Sequence, residues 1–128
     1  MWLAIAAISL GAALGALARW GLSLWLNPLL PNLPLGTLTA NLSGGYLVGL
    51  ALAFFSSNTA LPPEWRLFIV TGFLGGLTTF STFSAEVVDM LLKGQTGWGL
   101  LTAAAHMLGS FAMTAAGIYS MQLMSRPT

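Results

Sequence analysis

The chain has 128 residues, of which 56% are hydrophobic and only 5% charged, with a formal net charge of +1 and no cysteine. A soluble domain carries about 25% charged residues, so a water-facing surface is excluded, as are disulfides and thiolate metal sites. No basic cluster is present to track phosphates, which excludes nucleic acid as a partner, and a single histidine with three acids leaves little material for an enzyme. The mean hydropathy of +0.83 instead fits helices that are apolar all round, as membrane spans are.

The first predicted span covers residues 2–26 and contains Arg19. Its first part ends in Ala16-Leu17-Ala18, which is similar to a signal-peptidase site. No Lys or Arg precedes the apolar run, however, and the run is long enough to span, so retention as a membrane helix is expected. Asn27-Pro28 with Pro31 and Pro34 predicts a short uncharged turn. The second span covers residues 35–55. Ser56–Thr59 and Pro62-Pro63 mark the next loop, with Glu64 and Arg66 leading into a third span over residues 65–92. Lys93-Gly94-Gln95 closes that span, and the fourth covers residues 96–124. Each holds about 20 or more residues, which at ~1.5 Å per residue crosses a ~30 Å hydrocarbon core. No ten-residue alternation of apolar and polar residues argues for a barrel strand. The fold class is therefore an all-α membrane protein, with residues 1–128 forming one four-helix transmembrane domain.

Gly11 and Gly15 are four apart in the first span, and Gly45 and Gly49 four apart in the second. Such pairs let helix backbones approach closely in lipid. Whether they hold one bundle together or join two subunits stays open at this level. Four spans place both termini on one side, with Arg66 and Arg126; Lys93 and Arg19 fall on the other. Two against two gives no positive-inside bias. Insertion in both orientations is expected, with the two forms pairing as an antiparallel, dual-topology homodimer. That arrangement is the two-chain counterpart of an inverted repeat.

Polar side chains at membrane depth face protein or a watery cavity. Thr102, His106, Ser110 and Thr114 recur every four residues in the fourth span and drift only about 40° per step, so they form a polar stripe. Interhelical hydrogen bonding is the bland explanation of such a stripe; a continuous ion track is the sharper one. Thr37 and Asn41 have the same spacing in the second span. An Asn amide offers two donors without a charge, which suits an anion that must later be released. In the third span, Gly72, Gly75 and Gly76 run into Thr78-Thr79-Phe80-Ser81-Thr82-Phe83. This is poor material for an unbroken helix, and an interruption is expected near residues 75–79, at mid-membrane. Backbone freed there must line a cavity or be buried in protein. Its carbonyls suit a cation, and the N-terminus of the following half-helix favours an anion. Phe80 and Phe83 share a helix face, where their electropositive ring edges can contact an anion; two Phe at this spacing are also ordinary packing material.

These segments carry a resemblance. Gly15-Ala16-Leu17-Ala18-Arg19-Trp20, Gly36-Thr37-Leu38-Thr39-Ala40-Asn41 and Gly75-Gly76-Leu77-Thr78-Thr79-Phe80-Ser81-Thr82-Phe83 resemble the motifs of the Fluc-type (CrcB-like) fluoride channels, over essentially the whole chain. The resemblance implies an inverted pair of copies with two fluoride pathways. It implies that Phe80 and Phe83 form the Phe box, and that Asn41 is the pathway amide. Ser110, Thr114, Thr37 and Thr82, with Ser81 in the same motif, stand as polar-track residues. Arg19 is implied as a vestibule arginine and Glu86 as an acid near one mouth. The backbone carbonyls of Gly75 and Thr78 are implied as ligands of a structural sodium ion at the dimer interface. His106 departs from the pattern, standing where Tyr is expected, and is read as a neutral hydrogen-bonder within the pathway. Ala12 replaces a glycine, a small packing change.

The function implied is passive fluoride export across a bacterial inner membrane, lowering the cytoplasmic concentration, with fluoride, sodium, lipid and a second copy as partners and no enzymatic activity. The alternative is a small dual-topology proton-coupled transporter. It would need a carboxylate in the first span, where only Arg19 is charged.

Overall fold

The computed structural model describes residues 1–126. Every element among them is helical: α1 (Trp2–Leu26), a 3-10 turn (Asn27–Leu29), α2 (Leu35–Ser57), α3 (Pro63–Arg66), a π-helical stretch (Leu67–Leu74), α4 (Gly75–Leu77), α5 (Phe80–Leu92) and α6 (Thr96–Met124). They make four helical rods long and apolar enough to cross a membrane, the third running from Pro63 to Leu92. The protein is an integral membrane protein. Its outward surface agrees, because Leu17, Trp20, Leu100, Leu108 and Phe111 are all exposed, and such a belt needs an apolar solvent.

Two rods run slightly longer than the sequence suggests. The second continues to Ser57, because the hydroxyls of Ser56 and Ser57 bond back to Ala53 O and carry on the turn. The third starts at Pro63, a residue that the first helical position tolerates since its missing N–H has no partner there. Between α1 and α2, the Asn27 side chain reaches forward, and its Oδ1 accepts from Gly36 N (2.7 Å) and Thr37 N (3.3 Å). It thereby satisfies donors that a helix start leaves unpaired. At the far end of α5, Gly94 takes a positive φ of 77°. Gln95 N bonds Met90 O and Gly94 N bonds Leu91 O, the reciprocal pair of a Schellman stop.

Packing joins α2 with α6 and α1 with the π-helical stretch most extensively. Both glycine pairs serve these contacts within the chain. A Cβ on Gly15 would overlap the carbonyl oxygen of Phe73, and one on Gly49 would overlap that of Thr114. Backbone therefore lies against backbone at both crossings. The small core of Ala40, Ala51, Phe55, Leu74 and Leu77 sits where α2 meets the third rod.

The third rod is not uniformly wound. Thr78 (φ −86°, ψ 152°) and Thr79 (φ −152°, ψ 117°) are extended, between α4 and the thirteen-residue α5. Thr79 caps α5, accepting from Thr82 N through its hydroxyl, a favoured role for Thr at that position.

Candidate ion passage beside the extended pair

Thr78 N keeps its ladder bond to Leu74 O at 3.0 Å, whereas Thr79 N has lost its own and a side chain replaces it. Thr79 N donates to Asn41 Oδ1 at 2.7 Å, where an unbroken helix would have used Gly75 O. Asn41 Nδ2 in turn donates to Thr79 O at 3.0 Å. This pair of backbone bonds fixes which end of the amide is nitrogen. Nearby, Arg19 Nε donates to Gly76 O at 3.1 Å, so a second carbonyl at the end of the short α4 also gains a partner from another rod. Gly75 itself lies on the exposed surface. A freed carbonyl on an accessible glycine, next to the extended Thr78, is oxygen chemistry that suits a hard cation.

Beside this segment lies a cavity of about 370 Å³, lined by Asn41, Gly45, Thr78, Thr79, Phe80, Phe83, His106, Met107, Ser110 and Phe111. No Asp, Glu, Lys or Arg is among these residues. Its polar wall consists of neutral hydroxyl, amide, imidazole and backbone groups, and its apolar wall of rings and a thioether. The aromatic groups form a ladder. Phe80 meets Phe83 edge-on, with centroids 5.4 Å apart and an interplanar angle of 88°. Phe83 then stacks on His106 at 4.4 Å and 13°. Phe80 is 70% exposed whereas Phe83 is 7% exposed, so the ladder leads from the open side of the cavity inward.

The structure thus brings together Phe80, Phe83, Asn41, His106 and Ser110, along with Thr78. It does not bring the remaining sequence candidates to the cavity wall. Thr114 donates to Gly45 O at 3.0 Å, and Thr102 is fully buried, donating to Met90 Sδ. The stripe on α6 is therefore glue at its two ends and lines the cavity only at its centre. Thr37 donates to Glu86 Oε2 at 2.6 Å. Thr82 Oγ1 accepts from Thr79 Oγ1 at 3.2 Å, and Ser81 Oγ lies 3.4 Å from Thr79 Oγ1. Thr79, Met107 and Phe111 were missed by sequence reasoning. Thr79 had a signal, as a Thr three residues before Thr82 at the start of a helix; Met107 and Phe111 had none.

Asn41 needs one correction of role. The sequence suggested an amide with two donors free for an anion. Both are occupied, one by Thr79 O and one by His106 Nδ1 at 3.0 Å.

Residues 6–118 match the family described as CrcB-like protein, Camphor Resistance (CrcB). The chain belongs to that family. Among CrcB relatives, proteins called fluoride-specific ion channel FluC are similar over 120 residues, 94% of this chain and 94% of theirs. Identity is 56% for the one from Burkholderia pseudomallei (strain 668) and 58% for that from Burkholderia cenocepacia. The matched CrcB region contains every cavity-lining residue, Asn41 through Phe111.

Proposed function

We propose that this chain forms a fluoride-selective passive channel in a bacterial inner membrane, working as an antiparallel pair of copies with two passages. The similarity of 56–58% to proteins named as fluoride channels, over 94% of the chain, carries this reading. The chemistry of the cavity supports it. Fluoride is small and strongly hydrated, so it must exchange water for donors that do not then retain it. Neutral hydroxyl and imidazole groups with ring edges meet that need, and conduction requires weak, multiple sites. A deep fixed cation would bind too tightly. The same similarity excludes an enzyme reading, and nothing in the first span supports the coupled-transporter reading.

In this account the extended pair Thr78–Thr79 lies near the middle of the bilayer. The N-terminus of α5 faces the passage with the partial positive charge of its dipole. Phe80, exposed in one copy, is covered in the pair. The carbonyl oxygens of Gly75 and Thr78 from each copy would hold a sodium ion, which supplies a positive charge at the subunit interface. Arg19 and Glu86 flank the passage rather than line the cavity. Surrounding lipid covers the exposed apolar belt.

Reconstitution into liposomes loaded with fluoride tests the proposal. On adding a potassium ionophore, fluoride should be released promptly and chloride retained. Retention of fluoride, or release of both anions alike, contradicts it.

A further inference from the structure

Two cavities outside the passage adjoin each other along the C-terminal parts of α2 and α6. One, of about 320 Å³, is lined by Ala53, Ser57, Met121, Gln122, Ser125 and Arg126. The other, of about 300 Å³, has a wall of apolar side chains that includes Leu47, Leu50, Phe54, Phe73 and again Met121. Leu50, Ala53, Phe54 and Ser57 follow the helical i, i+3, i+4, i+7 spacing, so α2 presents both cavities on one face. From Leu47 to Ser57 the helix rises about 15 Å, which is the depth of one leaflet of a ~30 Å hydrocarbon core. The groove thus runs from a polar head at the helix ends down to the middle of the bilayer. Phe54 is half-buried in it, and the buried Phe55 backs that ring edge-on, with centroids 5.3 Å apart. The groove opens away from the ion passage, because Leu47 lies about 200° around α2 from Gly45, a residue of the passage wall.

We infer that this paired cavity binds one anionic phospholipid, with the phosphate beside Arg126 and Gln122 and an acyl chain along Leu50, Phe54 and Met121. The hydrogen bonds of the head region select the phosphate. Ser57 Oγ donates to Ala53 O at 3.2 Å and Ser125 Oγ to Met121 O at 2.9 Å, so both hydroxyl protons are engaged within their own helical turns. The donors left to meet a ligand are the Arg126 guanidinium and the Gln122 amide. A guanidinium matches a phosphate in charge and, through paired N–H groups, in shape. Among the described residues, no Asp or Glu lines either cavity. The ammonium of a zwitterionic head would therefore meet no carboxylate, which favours a lipid of net negative charge. The apolar groove below commits the site to a lipid rather than to free phosphate, since only a hydrocarbon chain covers its Leu and Phe wall. The inference needs the membrane placement of the four rods and stands apart from the channel reading.

Native mass spectrometry of the full chain in detergent, titrated separately with phosphatidylglycerol and phosphatidylethanolamine, tests the site. One phosphatidylglycerol per chain should bind about tenfold or more tighter than phosphatidylethanolamine. Arg126→Gln should remove that preference. Arg66→Gln should keep it, because Arg66 is exposed and lines neither cavity. Leu50→Trp, which fills the groove, should weaken phosphatidylglycerol binding about tenfold without changing the oligomeric state. Millimolar inorganic phosphate should not displace the lipid. Equal binding of the two lipids, or equal losses in the Arg66 and Arg126 variants, overturns the inference, as does displacement by phosphate alone. Dissociation of the copies by Leu50→Trp also overturns it, by showing that a second copy fills the groove. Arg126 lies on the surface beyond the end of α6, so its variant decides the matter even where the Trp variant fails to fold.

Discussion

At the residue scale, Asn41 shows how much depends on one side chain. Its amide holds both backbone groups of Thr79 and the ring of His106. Asn41→Asp would remove both donors and set a carboxylate oxygen against the Thr79 carbonyl. Fluoride release should fall by about tenfold or more, with two copies still associating. Asn41→Ala should lower stability by about 2–4 kcal/mol, since buried backbone groups lose their partners; thermal unfolding in detergent measures this. Phe80→Ile removes the exposed ring edge at the open side of the cavity and should cut fluoride release about tenfold. Release unchanged in that variant would remove Phe80 from the passage. Sequence could single out these residues, because an Asn in an apolar run and a Phe pair beside glycines are unusual. It could not say that the amide was fully engaged. That depends on which backbone lies opposite, and helical spacing carries no such information.

At the element scale, the glycines decide which rods touch. Gly15 and Gly49 face carbonyl oxygens of neighbouring backbone, whereas nothing lies within 4 Å of a Cβ at Gly21. Gly15→Ala and Gly49→Ala should each cost about 1–3 kcal/mol through overpacking. Gly21→Ala should be neutral or stabilising by up to about 1 kcal/mol, the helix preference for Ala over Gly. Equal effects at all three positions in detergent unfolding would contradict this packing. The spans themselves were legible, since hydropathy and length set them and Pro and Gly punctuate their ends. The α6 stripe was half legible: its spacing was plain, yet Thr102 and Thr114 spend their hydroxyls on Met90 and Gly45. The π-helical winding of Leu67–Leu74 was not read from the sequence: Gly72 marks weak helix material there but does not specify the wider turn, and the stretch packs along α1.

At the scale of the whole molecule, one copy leaves Phe80 and Gly75 exposed, and the proposed antiparallel partner covers both. Reporters fused to the C-terminus should be found on both sides of the membrane; a reporter on one side only contradicts dual topology. Replacing sodium by a large organic cation should weaken association of the two copies and lower fluoride release together, because the Gly75 and Thr78 carbonyls would then repel across the interface. The proposed pairing rests on the balance of Arg66 and Arg126 against Lys93 and Arg19, which leaves neither orientation favoured.

In the proposed channel, a neutral passage beside the extended Thr78–Thr79 pair lets fluoride diffuse down its own electrochemical gradient. Current through protein in a planar bilayer, with a fluoride gradient and symmetrical chloride, tests this most directly. The current should reverse at the fluoride equilibrium potential and stay there when a pH gradient is imposed. Reversal that follows chloride or pH, or no current despite fluoride movement, would contradict it.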